Sequence, residues 1–348
     1  MRALLLPILS LCLLFPSPAR AAEEKETLQQ QVAQRLVNVK KRDFITFSSE
    51  NDLYGGGGDQ NYTNGARVTF FEAGKRPPQI FDVVDRLIPT FTINPTTSIY
   101  YTLGQNLYTP KDITRVTQDP NDRPWAAFLY GSAGLISITD NHIDEVEATL
   151  GIVGPVALGR QTQSFVHQHI SDSPTPRGWD NQLKNEPGLM LSWQRRFPER
   201  YGFEGPYGLS AGVEPHFGVT LGNIYTYSNL GLSLRLSPAD GRFQDDPTRV
   251  RPAMPGTGAF IVDDGKFSWE LFGGIEGRAV GRNIFLDGNT FADSYSVDKK
   301  ILVGDLNAGL ALTYGRTRIS YAIIYRTPEF DQADHGDVFG NVSLGFRY

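Results

Sequence analysis

From residue 43 to the end of the chain, apolar residues keep returning at every second position. In the last eight residues Val342, Leu344, Phe346 and Tyr348 fall on one side of an extended chain, and Asn341, Ser343, Gly345 and Arg347 on the other, because successive strand side chains point to opposite faces. Leu230, Leu232, Leu234 and Leu236 alternate in the same way with Asn229, Gly231, Ser233 and Arg235; Ile319, Tyr321, Ile323 and Tyr325 alternate with Arg318, Ser320 and Ala322, and Arg326 follows. Such segments predict about twelve strands, near residues 43–50, 65–73, 97–107, 125–137, 143–154, 187–197, 206–216, 225–236, 267–284, 298–314, 316–327 and 338–348. Two stretches break the pattern. In residues 23–41, Leu28, Val32, Leu36 and Val39 share a helical face, which predicts a short amphipathic helix or a loose tail. Asp245 to Gly258, with Pro247, Pro252 and Pro255, reads as loop.

A soluble sandwich also alternates, so the choice of fold rests on what occupies the two faces. The polar faces carry Arg and Glu inside strand-like segments, the apolar faces are tipped with Tyr, Phe and Trp, and the chain ends on an aromatic residue. A lipid-facing outer wall, aromatic girdles and a polar lumen explain all three. No apolar run after residue 21 approaches the roughly 20 residues of a membrane helix. The expected fold is therefore all-β: a transmembrane antiparallel β-barrel of about twelve strands, with a secreted β-sandwich as the competing architecture. With the amino terminus in the periplasm, each loop after an odd-numbered strand is extracellular.

Composition narrows this further. The 348 residues hold 33 Lys plus Arg against 38 Asp plus Glu, a formal net charge of −5, with no long basic run, so nucleic acid is not an expected partner. Arg2, the apolar stretch Ala3 to Phe15 and Ala19-Arg20-Ala21 have the anatomy of a secretory signal peptide cut after Ala21. Its removal takes Arg2 and Arg20, leaving 31 basic against 38 acidic residues and a net charge of −7, and it removes Cys12, the single cysteine. No thiol or disulfide chemistry remains. The expected organisation is residues 1–21 signal peptide, 22–42 periplasmic segment and 43–348 barrel.

Chemistry-bearing residues concentrate in three outward loops. The first holds Glu50, Asn51, Asp52 and Asp59, whose hard oxygens suit calcium or magnesium. A hydrated surface loop is the plainer reading. Its glycine run Gly55 to Gly58 lacks the Gly-Lys-Ser/Thr of a phosphate-binding loop. The second, Tyr108 to Arg115, offers Lys111 and Arg115 to an anion such as a lipid phosphate, or to water at the headgroup level. The third has a helical stretch, Gln161 to Ile170, with His167 and His169; either can act as a base near neutral pH, but a spacing of two on a helix sends them to different sides and argues against a shared zinc. His142 falls on a periplasmic turn, while His216 and His335 read as loop residues. Acidic loop, hydroxyls, cations and histidine converge on one barrel end, which faces the outer leaflet and its lipopolysaccharide.

At these residues the chain resembles the outer-membrane lipid A deacylase family. The resemblance covers the mature chain from Phe47 to the terminal strand. It is most specific in Glu50-Asn51-Asp52, Asn61-Tyr62-Thr63-Asn64-Gly65, Tyr108-Thr109-Pro110, Gln163-Ser164-Phe165-Val166-His167, Gly178-Trp179-Asp180-Asn181-Gln182-Leu183 and Asn185-Glu186-Pro187. It implies a twelve-stranded barrel with an active site between the barrel wall and a helix of an extracellular loop. It also implies Asn51 and Asp52 as site residues at a Ca2+ region, Thr63 as a polar partner beside them, and His167 as the base that activates water. The chain departs from the family pattern in two places. Lys111 directly follows Pro110, and Arg115 stands nearer the spacing of the family's lysine; Ser173, with Asp172 beside it, stands where the family has a glutamate.

The expectation is then a calcium-dependent hydrolase of the 3′-linked acyloxyacyl ester of lipid A. It would act in the outer leaflet of the bacterial outer membrane as a monomer, with lipopolysaccharide as substrate and membrane lipid as its surroundings. The alternatives are a non-enzymatic porin or binding barrel, and a phospholipase A acting on glycerophospholipids.

Overall fold

The computed structural model describes residues 27–348 apart from 28, 31, 35–41, 56–60, 76, 89, 170, 172, 199–200, 240–242, 247–248, 250, 255 and 263–264. The signal peptide, Asp59 and Asp172 therefore lie outside the described residues. Twelve antiparallel strands form a closed barrel. They are β1 (Phe44–Asn51), β2 (Asn61–Glu72), β3 (Ser98–Thr109), β4 (Ala126–Ile138), β5 (Ile143–Val153) and β6 (Glu186–Arg196). The second half is β7 (Leu209–Gly222), β8 (Tyr225–Pro238), β9 (Phe267–Asn283), β10 (Leu302–Tyr314), β11 (Thr317–Arg326) and β12 (Asp337–Arg347). Each pairs with its sequence neighbour, and β1 pairs with β12 from Phe44↔Arg347 to Asn51↔Gly340. Closure between the halves is the β6–β7 pairing, Met190↔Gly222 to Arg196↔His216.

The alternation read from the sequence becomes two surfaces. Leu103, Leu150, Leu191, Leu230, Ile275 and Leu306 face outward and are exposed, which puts apolar area where lipid replaces water. Phe70↔Tyr101 and Phe267↔Tyr314 are outward pairs near the periplasmic ends of their strands. No helix among the described residues is long and apolar enough to cross a membrane; the strands do the crossing.

The lumen is filled. The described residues of the β8–β9 connection (239–266) run from the periplasmic rim into the barrel interior and form a plug. A loop buried this way carries backbone carbonyls that need donors, and lumen-facing arginines supply them. Arg67 Nη1 donates to the carbonyl of Arg249 at 3.0 Å, Arg326 Nη2 to that of Pro252 at 3.0 Å and Arg347 Nη2 to that of Val262 at 2.7 Å. The plug's own charges are matched by the wall: Arg249 with Glu50 at 3.1 Å, Arg251 with Glu147 at 3.0 Å and Asp245 with Arg196 at 2.6 Å. The proline-rich stretch is thus a loop as expected, but its place is the barrel interior. At the periplasmic mouth, the described positions of residues 29–34 are helical, and Val32 packs with Phe44, Phe71 and Phe260.

One histidine differs from expectation. His216 is not in a loop: β7 continues through it to Gly222, and its imidazole is buried in the lumen with Nε2 3.2 Å from Glu276. Pro215 looks like a strand breaker, but it sits just beyond the last β6 partner, so its missing N–H leaves no ladder bond unmade there. His142 is in the turn between β4 and β5, as expected, near Asp144 at 3.3 Å.

Candidate active site

Period-two geometry divides the acidic motif at the end of β1. Thr46, Ser48 and Glu50 face the lumen, so Asn51, one residue on, faces out. Glu50 is held by Arg249 and by Asn341 Nδ2 at 3.3 Å. It stands in the lumen network and not with the hard oxygens of Asn51 and Asp52. The chain then turns through a short 3-10 segment, Asp52–Gly55. The Leu53 amide donates to both Asn51 Oδ1 (2.8 Å) and Asp52 Oδ1 (2.9 Å), so these two oxygens converge on one point.

The turn is clamped to the outer wall of the neighbouring strands. Tyr321 of β11 donates its hydroxyl to the Tyr54 carbonyl at 2.7 Å, and Ser49 Oγ lies 3.3 Å from the Tyr54 hydroxyl. Tyr54 rests on Gly340 of β12, where an added Cβ would meet Tyr54 Cβ at 2.5 Å and its carbonyl carbon at 2.9 Å. Only glycine lets the turn lie this close.

Thr63 joins the row through an irregularity. The β2–β3 register shifts between Tyr62 and Asn64; Tyr62 packs with the lumen aromatics, and Thr63 is turned to the side of Thr109, with the two hydroxyls 2.6 Å apart. Thr109 follows outward-facing Leu107 at the same parity on β3. Asn51 pairs with Asn64 across β1–β2. Asn51, Asp52, Thr63 and Thr109 therefore form one polar row at the extracellular rim, all buried on or beside the outward face. Thr109 is a member that motif reading alone left unassigned; its parity with Leu107 was the available signal.

The β5–β6 loop covers this side of the barrel. After α1 (Asp82–Leu87) of the β2–β3 connection, the second helix, α2 (Gly159–His169), belongs to this loop and follows the segment whose Ala157 carbonyl accepts from Gln105 of β3 at 2.6 Å. Gly159 lies against Ala127 of β4 and Trp179, and Trp179 donates its indole N–H to Gln163 Oε1 at 2.8 Å. Gly159, Gln163 and His167, four residues apart, are the buried stripe of the helix, so His167 is turned to the face that meets the wall. His169 is exposed and stacked on Phe165 at 4.6 Å, as the spacing requires. His167 Nδ1 is 2.6 Å from the carbonyl of Pro174. A carbonyl only accepts, so Nδ1 carries a proton and donates in this bond.

Lys111 and Arg115 stand apart from this row. Both are exposed; Lys111 faces Asp334 at 3.5 Å and Arg115 faces Asp119 at 2.5 Å. The Asn121 amide and Arg115 hold the Asp119 carboxyl below the ordinary carboxylate range. The fully buried cation of this loop is Arg123, over the Tyr108 ring at 5.1 Å and 3.5 Å from Glu329; Tyr108 belongs to the lumen cluster, so Arg123 serves the barrel mouth. No group of three His, Cys, Asp or Glu side chains among the described residues forms a metal cluster. Asn51 and Asp52 fit a hard cation in kind, with backbone carbonyls and water left to complete the six to eight oxygens that calcium takes.

The family model described as outer membrane protein LpxR matches residues 7–348. The chain belongs to the LpxR family. These are the outer-membrane lipid A deacylases whose motifs the sequence carries, and the protein is placed in the bacterial outer membrane. Among solved structures, LpxR from Salmonella typhimurium is similar at 20% identity and a TM-score of 0.70, covering 88% of this chain and 100% of that one. The β domain of the Bordetella autotransporter BrkA matches at 11% identity and a TM-score of 0.42, covering 88% of this chain and 98% of that one. No curated protein matches the chain. LpxR membership supports a lipid A deacylase role, and the likeness to the solved barrel shows the fold.

Proposed function

We propose that the protein hydrolyses the 3′-linked acyloxyacyl ester of lipid A in the outer leaflet. His167 is the general base, and Asn51 and Asp52 hold Ca2+. The reading rests on one observation: buried polar side chains line the outward face of a lipid-exposed wall, and the covering helix turns a histidine toward that wall. Structural need does not account for such a row, because apolar side chains serve a lipid-facing surface better.

The bond from His167 Nδ1–H to the Pro174 carbonyl fixes the ring, and Nε2 is the nitrogen that takes the proton from water. The water oxygen then attacks the ester carbonyl carbon. The bond to the sugar oxygen breaks, and His167 returns the proton to that oxygen. The Thr63–Thr109 hydroxyl pair orients polar groups of the substrate at the wall. Bound Ca2+ supplies positive charge where negative charge develops on the carbonyl oxygen. No serine nucleophile is required. Lys111 and Arg115 meet lipid phosphate at the rim, since exposed ion pairs such as theirs exchange partners at little cost.

A porin needs an open lumen, and the plug occupies it, so no observation favours that alternative. A phospholipase A differs in substrate, which mass spectrometry separates. Lipid A from cells producing the wild type loses the mass of the 3′-acyloxyacyl chain; cells producing His167→Ala, or wild type in chelator, keep it. An unchanged wild-type spectrum with folded barrel in the outer membrane overturns the assignment.

A further inference from the structure

On the extracellular side, the loop carrying α2 and the β9–β10 loop enclose a cleft of about 850 Å³, within the roughly 300–1,000 Å³ of small-molecule sites. Its base is rigid. Glu186 at the head of β6 accepts from Asn289 Nδ2 at 3.1 Å and from the Thr290 amide at 2.7 Å, and Asn289 exchanges bonds of 2.8 and 2.9 Å with the Lys184 backbone.

The lining selects the class of ligand. Arg160 and Lys184 are balanced by Asp180 and Asp293, and Arg160 is paired with Asp180, so neither a polyanion nor a bare cation is favoured. What remains is an aromatic face, Tyr295, together with amides and carboxylates. A sugar ring answers each of these features. Its hydroxyls donate to the carboxylates of Asp180 and Asp293, and its C–H face packs on tyrosine. The cleft and the candidate base are joined by one helix. Arg160 and His167 are seven residues apart, on nearly the same side of α2 and about 10 Å apart along its axis.

We propose that this cleft is a saccharide subsite, and that it takes the sugar headgroup of the glycolipid whose ester is presented to His167. The proposal rests on the hydrolase reading above. The probe is the sugar backbone of lipid A freed of all acyl chains, titrated calorimetrically into the full-length protein in detergent, with heat resistance in SDS as the check on folding. Wild type and His167→Ala bind it alike. Tyr295→Ala weakens binding about tenfold and raises KM for lipid A by a similar factor with kcat little changed, and Tyr295→Phe restores both. Undiminished binding by both Tyr295→Ala and Asp293→Ala, or a fall in kcat with KM unchanged, overturns the subsite. Sugar binding by a wild type that cleaves no ester keeps the subsite and removes the hydrolase reading.

Discussion

The lumen and the outer rim both bury polar side chains, but they do so on opposite terms. In the lumen charge meets charge: Asp305 lies between Arg278 at 2.7 Å and Arg326 at 2.9 Å, Arg318 meets Glu270 at 3.0 Å, and Arg67 meets Glu147 at 3.3 Å. The plug completes that network. At the rim, Asn51, Asp52, Thr63 and His167 are buried beside a wall that faces lipid, anchored by backbone groups and one hydroxyl pair. Buried polarity in a barrel therefore carries information only when its parity is known: inward it is structure, outward it points to chemistry.

The largest effects separate these two regions. Removing the base or the convergent oxygens, His167→Ala or Asp52→Ala, lowers ester cleavage by roughly 10²–10⁴-fold, read as lipid A turnover, while heat resistance of the barrel in SDS persists. Arg249→Ala does the reverse. It leaves Glu50 with Asn341 but without its cation, a buried charge whose partner loss costs about 3–5 kcal/mol. Thermal unfolding in detergent falls accordingly, with kcat held near wild type. Replacing the plug residues 247–258 by a short Gly-Ser linker opens the lumen and gives porin-like conductance in planar bilayers; a closed barrel after that deletion removes the plugging role.

Gly340→Ala tests the join between wall and site, with an intermediate effect. The new Cβ meets the Tyr54 backbone and pushes out the turn that presents Asp52. A displacement near 1 Å at a reacting site costs roughly 100-fold in rate, whereas β12 accepts alanine in its ladder. Turnover is the readout, and apparent Ca2+ affinity should fall with it. A small-residue change that left both untouched would break the link between the clamp and the oxygens.

The comparison also explains what the sequence could and could not disclose. Alternation exposed the strands because one face meets lipid along their whole length, and Val342 to Tyr348 or Leu230 to Leu236 needed no further context. The same rule separates Glu50 from Asn51, but only once β1 is known to extend through both; taken as one acidic loop, they look like joint ligands. Strand seven was cut short at Pro215-His216, although Phe217, Val219 and Leu221 continue its outward face. Asp245 to Gly258 was legible as loop and illegible as plug, because its position is set by arginines on distant strands. The site motifs were recognisable as residues, while the Thr63–Thr109 contact depended on a register shift that leaves no mark in composition.

The smallest expected effect concerns the cations. Lys111 and Arg115 are exposed and paired with Asp334 and Asp119, and such pairs are worth about 0–1 kcal/mol. A phosphate that replaces either carboxylate gains the difference between two screened interactions. Lys111→Ala and Arg115→Ala should therefore each raise KM by no more than about fivefold, with kcat unchanged, and high salt should shrink the difference from wild type. A fall in kcat for Arg115→Ala would show that this loop closes onto the ester and that Arg115 acts at the reacting oxygen. A salt-sensitive KM alone keeps it at the rim, steering the headgroup while the outward row does the chemistry.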